Sequence, residues 1–589
     1  MTKQWNELTI NTKAINTLQA QCELPTVFCK MLLMRGITTP SALQQFFHPS
    51  LAKLHDPFLM KDMKSVVDRL QRAFATKEKI MLYGDYDVDG VISVAMMHHF
   101  LETRTTQLIN YIPDRDTEGY GVSISGIESA RAHNVKLILT MDCGTKAHEP
   151  IALANRYGID VLVCDHHSPD EELPAAYAML NPKQKDATYP TQDLSGGGIC
   201  FKLLQAILQA ERRPVSDAYP YLDYVVLSTA CDLVPLTGEN RILAHFGLVY
   251  LRNTSRPGLL ALLRHIKLLR KKLTISDLVF KIGPLLNAAG RVGNASTAVE
   301  LLLATTTNLA KAPLKTLVSY NQQRKNLDQA MHRAAQDLWE KEADFAERKS
   351  IVLFQADWHS GIVGITAARL VDTFHRPTII LTESKGVIVG SARSIEGFNL
   401  IRALAACEDL LLKYGGHAYA AGLALTADKL PAFKVRFETI VAAQLSSQQL
   451  QPRLRITSEL QLSEINFDFN RILQKFAPFG PGNRRPIFWS KKLADNGHTR
   501  VVKEKHLQFG VVQDISNSMG GIGFRQAAAL ALVEAGDFDL AYVIREQVWK
   551  NCRTIQLDVR GIRATISAQD LPSTRSQEVR VSENPLVSP

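Results

Sequence analysis

Short apolar runs alternate with amphipathic helical patterns between residues 80 and 164, and this alternation constrains the fold more than any other feature of the sequence. The apolar runs are Ile80–Tyr83, Gln107–Ile112, Leu137–Met141 and Asp160–Cys164. Helical patterns fill the intervals, at about residues 91–101, 123–134 and 147–157. Repeated strand–helix–strand units of this kind predict an α/β domain built on a parallel sheet.

Acidic residues and two histidines directly follow three of these apolar runs. In chain order they are Asp85, Asp87, Asp89, Asp142, Asp165, His166 and His167. The carboxyl ends of parallel strands share one edge of an open sheet, and ligands bind in the crevice outside that edge. The sequence therefore predicts that motifs far apart in the chain meet at one rim.

The first acidic motif, Gly84-Asp85-Tyr86-Asp87-Val88-Asp89-Gly90, has two other interpretations. Its spacing matches the first six positions of an EF-hand calcium loop. That interpretation is disfavoured, because the twelfth position is Met96 rather than Glu and because a strand precedes the motif. The second alternative is a solvated turn, since Asp is a common turn residue.

A fourth acid, Asp232, follows the apolar run 224–230, and we interpret it as one more acid at a strand end that supplies the opposite wall. Carboxylates combined with imidazoles suit Mn²⁺ or Mg²⁺ better than metals that prefer thiolates. Two such ions about 3.5–4 Å apart form a clamp for phosphoryl transfer. The residues alone therefore predict a phosphoesterase that depends on divalent metal, and a pair of ions is the arrangement that suits this chemistry.

The composition favours an anionic partner. The net charge is +10 and the pI is about 9.1, which fits nucleic acid or another phosphate-rich ligand, with a plain solubility charge as the alternative. The eight cysteines form no CxxC pair, so we expect neither a zinc ribbon nor a disulfide framework. No apolar stretch is long enough for a bilayer span and the N-terminus lacks a signal-like run, so we expect a cytoplasmic protein without membrane contact.

Changes in pattern along the chain predict six segments. We expect a mostly helical N-terminal segment, the α/β domain, a helical connector that includes a long helix near 321–347, a second α/β domain, a β-rich domain and a disordered tail. Their predicted boundaries are 1–77, 78–270, 271–345, 346–450, 451–562 and 563–589. A cation-rich stretch, Arg264–Lys281, lies at the junction of the second and third segments.

The chain resembles the DHH phosphoesterase superfamily, because Asp165-His166-His167 follows an upstream GDYDVDG. Within that superfamily it is similar to the RecJ-type exonucleases, which degrade single-stranded DNA in the 5′→3′ direction. The motifs that carry this similarity run from about residue 35 to 488. They include IPDRDTEGYG (112–121), NAAGRVGNA (287–295), WHSGIVGITAARL (358–370), GSARSIEGFNL (390–400), GGHAYAAG (415–422) and FGPGN (479–483).

The resemblance implies a fold and a division of roles. The fold would be a parallel-sheet DHH domain, a second α/β domain of the DHHA1 type joined to it by a long helix, and a β-barrel OB-fold domain. The implied metal ligands are Asp85, Asp87, Asp89, Asp142, His166 and Asp232, with Asp142 as the candidate bridge between two ions. Asp165 would orient the cluster, and His167 would contact the scissile phosphate.

Residues outside the cluster are candidates for DNA binding. The resemblance implies that Ser391, Arg393, Gly415, Gly416 and His417 recognise the 5′-terminal phosphate. Glycine lets the backbone approach a phosphate and arginine binds it with two donors, although GGH has a plain turn as its alternative.

Three further candidates would contact the strand: Arg115 and Arg291 through backbone phosphates and Tyr120 by base stacking. A core aromatic remains the alternative for Tyr120, and a helix cap or buried ion pair for Arg291.

The sequence departs from the usual family pattern at Arg484-Arg485-Pro486, where Pro-Glu-Pro is more usual, and at Glu396 and Asn399, where Pro and His are common. None of these positions belongs to the predicted metal set, so they put only details of DNA contact in doubt.

The implied function is a 5′→3′ exonuclease of DNA repair and recombination, specific for single-stranded DNA. The enzyme would act as a monomer, with a helicase and a single-strand-binding protein as partners. The alternatives are a DHH phosphodiesterase for dinucleotides or nano-RNA, a pyrophosphatase, and a non-catalytic scaffold. A scaffold would have lost metal ligands, whereas every expected ligand is present here.

Overall fold

A computed structural model of the chain describes residues 3–342, 344–514, 517–549 and 552–565. The chain divides into two compact units. The larger unit comprises Pro49–Ser446 and Pro478–Asn483, and the smaller unit comprises the rest of the described chain.

The first sheet of the larger unit is the predicted parallel sheet, which is thereby confirmed. Its five strands lie side by side in the order Leu108–Tyr111, Ile80–Gly84, Leu137–Met141, Asp160–Cys164 and Ala178–Leu180, and all neighbouring pairs are parallel. The three central strands are buried throughout apart from Asp160, which explains why they read as continuous apolar runs. Chain order reverses between Ile80–Gly84 and Leu137–Met141, and such a switch point opens a crevice at the carboxyl ends of the strands.

Helices surround this sheet and continue to the long helix of the same unit. In chain order they are Met63–Ala75, Val88–Leu101, Ile124–Ala132, His148–Arg156, Gly196–Ala210, Leu222–Cys231, Gly238–Arg252, Pro257–His265, Ile275–Asp277, Gly283–Asn287, Ala289–Val292, Ser296–Leu303 and Lys311–Glu340. A π-helical turn, Leu278–Ile282, interrupts them.

The long helix differs from its predicted position near 321–347. It begins at Lys311, and Pro313 lies in its first turn, where the missing backbone N–H costs no helical hydrogen bond. Among the described residues, no helix is both long and apolar enough to cross a lipid bilayer.

The second sheet of the larger unit is mixed. Its strands lie in the order Lys413–Gly416, Ala420–Leu425, Val387–Arg393, Thr378–Ser384 and Ile351–Phe354. Only the last two run parallel, and the other neighbouring pairs are antiparallel. The helices Val363–Phe374, Leu400–Ala405 and Leu430–Gln444 accompany it.

The smaller unit contains a seven-stranded sheet that closes on itself. Its strands lie in the order Ser458–Glu459, Phe488–Asp495, Phe538–Trp549, Cys552–Ala564, Ser518–Gly523, His506–Val512 and Arg500–Val502. A further pairing between Phe488–Asp495 and His506–Val512 completes a ring of five strands, the architecture of an OB barrel. The helices of this unit are Thr12–Cys22, Thr26–Leu33, Pro40–Phe47, Phe467–Lys475 and Leu530–Glu534.

Two ends of the chain differ from the prediction. The N-terminal segment, predicted as mostly helical, also contains the strand Gln4–Glu7, which pairs in parallel with Arg453–Ile456. The predicted start of the disordered tail, residue 563, is too early. The last strand extends to Ala564, where it pairs with Phe538. The remainder of the predicted tail, 566–589, lies outside the described residues.

Candidate active site

The first acidic motif turns from a buried strand into a helix. The strand ends at Gly84, and Asp87 is the N-cap of the helix Val88–Leu101, where its carboxylate accepts hydrogen bonds from the backbone N–H groups of Asp89 and Gly90 at 2.8 and 3.2 Å. A carboxylate is favoured there because a helix N-terminus exposes unpaired N–H groups. A Cβ on Gly90 would lie 2.3 Å from the carbonyl oxygen of Asp85, so only glycine allows this turn.

The second and third motifs extend the neighbouring strands by one residue. The N–H of Asp142 donates to the carbonyl of Cys164 at 2.9 Å, and that of Asp165 donates to the carbonyl of Leu180 at 3.0 Å. Asp142 then adopts a left-handed backbone with φ of 62°, which turns the chain away from the sheet. The predicted rim therefore exists: Asp85 and Asp142 follow the two strands that flank the switch point.

Asp232 joins the acidic cluster from a secondary-structure element other than the predicted strand. The apolar run before it is not a strand but the buried helix Leu222–Cys231, and Asp232 is the C-cap of that helix. An apolar run of this length does not distinguish a buried helix from a buried strand. The expectation of an acid at a strand end is wrong for this residue, although its carboxylate still joins the cluster.

Nε2 of His166 lies at the centre of the cluster. It is 3.1 Å from Oδ1 of Asp142, 3.5 Å from Oδ2 of Asp232 and 4.0 Å from Oδ2 of Asp89. Ligand atoms within 4.8 Å of one another form three groups, and each group is large enough to hold a metal ion. The groups are Asp85, Asp87 and Asp142; Asp89, His166 and Asp232; and Asp142, His166 and His167.

The cluster fits a divalent cation on two observations of its own geometry. Asp85 Oδ1, Asp142 Oδ1 and His166 Nε2 are buried, and none of these atoms has a hydrogen-bond partner among the described residues. Unpaired buried polar atoms are costly unless a ligand satisfies them. The donors are carboxylate oxygens and imidazole nitrogen, the set that suits hard or borderline divalent ions.

The electrostatics of the cluster point the same way. Burial and then repulsion by neighbouring carboxylates raise the pKa of Asp85, Asp142 and Asp232 well above the ordinary range. Burial, followed by Asp87, raises the pKa of Asp89 to about 6. Burial, followed by the charge of His167, lowers the pKa of His166 to about 3, so its imidazole is neutral and its nitrogen can bind a cation.

Asp165 has a different environment from the other acids of the cluster. Its Oδ1 accepts hydrogen bonds from the backbone of His166 and His167 and lies 2.7 Å from Nδ1 of His167, while its Oδ2 accepts from the backbone of Thr145 at 2.9 Å. Burial acts to raise the pKa of Asp165, but the hydrogen bond and charge of His167 outweigh it, and the pKa falls below the ordinary range. Burial acts to lower the pKa of His167, and Asp165 in turn raises it above 6.5.

Tyr120 covers the outer side of this pair. Its hydroxyl lies 3.0 Å from Nε2 of His167 and 3.4 Å from the carbonyl of Asp142, and 56% of the residue is exposed. The core-aromatic alternative for Tyr120 is therefore wrong. Arg115 lies nearby, with its guanidinium 5.4 Å from the ring centre of Tyr86, which in turn contacts Tyr120 edge to face.

Sequence reasoning missed the group that holds Asp89. Its two carboxylate oxygens accept hydrogen bonds from the backbone N–H of Gly196 at 2.7 Å and of Gly197 at 2.9 Å, at the start of the helix Gly196–Ala210. Ser195 caps this helix, and its hydroxyl accepts from Ser228 at 2.6 Å. The signal was available as Ser195 followed by three glycines, which is unusual at the first turn of a buried helix.

The residues predicted to bind a 5′ phosphate lie together in the second sheet. Gly415, Gly422 and Ser391 are direct neighbours across three adjacent strands, and Arg393 lies two residues beyond Ser391. A guanidinium nitrogen of Arg393 donates to the hydroxyl of Ser391 at 2.8 Å. Gly416 has a φ of 136°, a backbone that favours glycine, and His417 follows it. Burial, followed by the charge of His167, lowers the pKa of His417.

Arg291 is neither a helix cap nor part of a buried ion pair. It donates to the carbonyl of Gly361 at 3.0 Å, and no acidic partner is found for it in the described part of the chain. Burial and then the charges of Arg115, Arg393 and Arg324 lower its pKa to about 10. Arg115, Arg291 and Arg393 lie near one another without an acidic partner among the described residues, which is typical of a site that binds an anion.

Comparisons with known proteins agree with this geometry. Three family models match the chain: the DHH family N-terminal domain over residues 79–229, the DHHA1 domain over 347–443 and the RecJ OB domain over 456–561. The single-stranded-DNA-specific exonuclease RecJ of Bacillus subtilis is 32% identical, over 97% of this chain and 74% of its own length.

Two solved structures of RecJ from Thermus thermophilus are also similar. The complex with Mn²⁺ has a TM-score of 0.81 at 26% identity and covers 96% of this chain and 80% of its own. The complex with Mg²⁺ has a TM-score of 0.76 at 25% identity and covers 96% of this chain and 79% of its own. The fold, the acidic rim and these likenesses agree that the chain belongs to the RecJ family of the DHH phosphoesterases.

Proposed function

We propose that this chain is a metal-dependent exodeoxyribonuclease that hydrolyses single-stranded DNA from its 5′ end, with Mn²⁺ or Mg²⁺ as cofactor. The observation that carries the proposal is the pairing of two features in one unit. A buried rim of carboxylates has unpaired ligand atoms, and a glycine-rich corner with Ser391 and Arg393 lies in the same compact unit. The curated relative is named as a single-stranded-DNA-specific exonuclease, and the two solved structures hold Mn²⁺ and Mg²⁺.

We assign the cation ligands from the groups of neighbouring atoms. Asp85, Asp87 and Asp142 would hold one ion, and Asp89, His166 and Asp232 would hold the other. Asp142 is the bridging candidate, because it belongs to the first group and its Oδ1 also lies 3.1 Å from Nε2 of His166 in the second.

When bound, the two cations supply Lewis-acid stabilisation of the phosphate and a water of lowered pKa. The residues of the chain provide orientation and protons around that centre. Asp165 anchors the imidazole of His167 through Nδ1, which leaves Nε2 directed at the hydroxyl of Tyr120 and available to a phosphate oxygen. Because Asp165 raises the pKa of His167, the imidazolium form is favoured, and its charge suits contact with the scissile phosphate.

The 5′ end would be held in the second sheet. Side chains are absent at Gly415 and Gly422, so a phosphate can approach the backbone beside the hydroxyl of Ser391. Arg393 supplies the charge-assisted hydrogen bonds, and His417 follows Gly416 in the same corner. Arg115, Tyr120 and Arg291 would hold the strand between this anchor and the cations, by phosphate contact and by stacking.

The remaining assignments follow the family and the composition. The OB barrel of the smaller unit is a fold that binds single strands, and the net charge of +10 suits a polyanionic substrate. We place the protein in the cytoplasm, in DNA repair and recombination, as a monomer that works with a helicase and a single-strand-binding protein.

End-labelled single strands tested with Mn²⁺, Mg²⁺ or a chelator would test the proposal in one experiment. We expect metal-dependent release of nucleotides from the 5′ end, no cleavage of a matched duplex, and little hydrolysis of dinucleotides. Asp142→Ala should abolish cleavage and retain DNA binding. Arg393→Ala should reduce the preference for a 5′ phosphate over a 5′ hydroxyl while the cations still bind. Equal digestion of duplex and single strand, or release from the 3′ end, would refute the proposal.

A further inference from the structure

A basic surface lies on the larger unit outside the residues assigned above. Five cationic side chains in the last turn of the helix Pro257–His265 and in the loop after it are exposed, and none has an acidic partner among the described residues. They are Arg264, Lys267, Arg270, Lys271 and Lys272. The one acid of the stretch, Asp277, is already engaged, because its carboxylate accepts hydrogen bonds from the N–H and hydroxyl of Thr274 and pairs with Lys281 at 2.7 Å. We call these five residues the basic turn.

An aromatic side chain stands next to the basic turn in the chain. Phe280 is 74% exposed, the largest exposed fraction among the large hydrophobic residues of the described chain. It lies on the π-helical turn Leu278–Ile282, whereas its neighbours Leu278 and Ile282 are fully buried. π-Helical turns are rare and concentrate at functional sites, because they present one side chain that a regular helix would not.

The same π-helical turn also leads to the acidic cluster. Val279 and Gly283 line a cavity of about 150 Å³ together with Asn287, Arg291, Arg324 and Cys231. Cys231 directly precedes Asp232, a member of the acidic cluster. Arg324 comes from the long helix, and its charge is close enough to lower the pKa of Arg291. A cationic cavity therefore lies beside the cluster, and the turn that lines it carries Phe280 outward.

We propose that the basic turn and Phe280 form a second single-strand contact, which holds the part of the DNA on the 3′ side of the scissile phosphate. A base would stack on Phe280, and the following phosphates would lie along the basic turn. This inference rests on the proposed nuclease function. It assigns a place for the rest of the strand and a role for the cation-rich stretch, neither of which the 5′ anchor explains.

The chemistry of the surface favours nucleic acid over an acidic protein segment. A protruding aromatic ring offers a face for stacking, which any base can use. An acidic peptide with apolar anchors would need an apolar recess to receive them. The residues that surround Phe280 in sequence are instead charged or polar at the surface, namely Ser276 and Lys281.

The first test removes charge without reversing it. Arg270→Gln, Lys271→Gln and Lys272→Gln are combined, and equilibrium binding to a long 5′-phosphorylated strand is measured in a chelator over a range of salt. Each lost phosphate contact reduces the slope of log K against log salt by about 0.7, so we expect the slope to fall by about 2. Hydrolysis of a tetranucleotide, too short to reach the basic turn, should keep its wild-type rate.

The matched control places the same changes at the opposite edge of the parallel sheet. Lys77, Lys136 and Arg156 are exposed cations near the amino ends of its strands, so the triple glutamine variant at these positions should leave the salt slope unchanged. Thermal unfolding of both triple variants checks that they fold like the wild type.

Variants of Phe280 distinguish base stacking from a plain apolar contact. Phe280→Leu should weaken binding of the long strand on the order of tenfold, whereas Phe280→Trp should bind it as tightly as the wild type. A wild-type slope in the basic-turn variant, or equal binding by the Leu and Trp variants, would overturn the second contact and leave the nuclease proposal intact. Absence of cleavage of any single strand by the wild-type enzyme would instead refute the proposed function itself.

Discussion

Nε2 of His166 lies 3.1 Å from Oδ1 of Asp142, and neither atom has a hydrogen-bond partner among the described residues. Burial and the repulsion of Asp89 raise the pKa of Asp142, while burial lowers that of His166. The two groups therefore do not form a strong ion pair with each other. They are held at ligand distance by the sheet and by the backbone that follows each strand, so we expect a bound cation to stabilise the fold.

Asp142→Asn should make the metal-free protein more stable and the metal-bound protein inactive. The raised pKa of Asp142 means that its ionised form is disfavoured in the folded state at neutral pH. Removing that charge should increase the free energy of unfolding, because a group whose pKa is raised by folding destabilises the fold when it is ionised. Unfolding of chelator-treated protein followed by calorimetry or fluorescence would measure the change, and addition of Mn²⁺ should stabilise the wild type more than the variant.

An exposed acid provides the control for this effect. Glu172 is exposed on a loop, so Glu172→Gln changes the net charge equally without touching the cluster and should leave stability within experimental error. A metal-free Asp142→Asn protein less stable than the wild type would show that the cluster is not under electrostatic strain.

The pair of Asp165 and His167 predicts a pH dependence with a defined sign. Asp165 raises the pKa of His167 above 6.5 in the folded chain, so the pair contributes its full stability below that pH. The contribution is lost as the pH rises through the folded-state pKa of His167. Asp165→Asn should lower that pKa, and proton-detected NMR of labelled histidines in metal-free protein would follow it. An unchanged titration of His167 in the variant would contradict the proposed pairing.

Gly90 should not tolerate a side chain. A Cβ there would lie 2.3 Å from the carbonyl oxygen and 2.5 Å from the backbone nitrogen of Asp85, and backbone atoms cannot move aside as a flexible side chain can. Gly90→Ala should therefore displace the first motif and weaken Mn²⁺ binding by an order of magnitude or more, as measured by isothermal titration. Gly520 provides the contrast, because a Cβ there meets nothing within 4 Å and Gly520→Ala should leave Mn²⁺ affinity unchanged.

A buried ion pair away from the cluster should respond asymmetrically to mutation. Nζ of Lys202 is 2.8 Å from Oε1 of Glu239, both side chains are fully buried, and Tyr189 donates to the other carboxylate oxygen at 2.7 Å. Glu239→Gln leaves the ammonium without its counter-charge and should cost about 3–5 kcal/mol of stability. Lys202→Met combined with Glu239→Gln should recover part of that loss. A double variant as unstable as the sum of the single variants would show that the two groups are not coupled.

The parallel sheet and its rim could be predicted because both depend on short, local stretches of sequence. The three central strands of this sheet are buried apolar runs, and an acid follows each of them. The position of Asp142 needed no long-range information, since it continues the strand Leu137–Met141 by one residue.

The parts that could not be predicted depend on contacts between distant segments. Asp232 was placed after a strand, because the run 224–230 is buried on all sides whichever structure it adopts. The partner of Asp89 is the backbone at Gly196 and Gly197, more than a hundred residues away, and backbone donors leave no charge pattern in a sequence. The strand Gln4–Glu7 could not be predicted for a similar reason, because its partner Arg453–Ile456 lies far away in the sequence.

The distance in sequence between Asp85 and Asp232 has a consequence for synthesis of the protein. The first motif leaves the ribosome early, but one wall of the cluster is contributed by the cap of the helix Leu222–Cys231. A nascent chain that carries the early strands alone lacks Asp232 and the backbone donors of Gly196 and Gly197 that orient Asp89. Half-made chains therefore cannot assemble the centre that would cut DNA, and its assembly is tied to the completion of the domain.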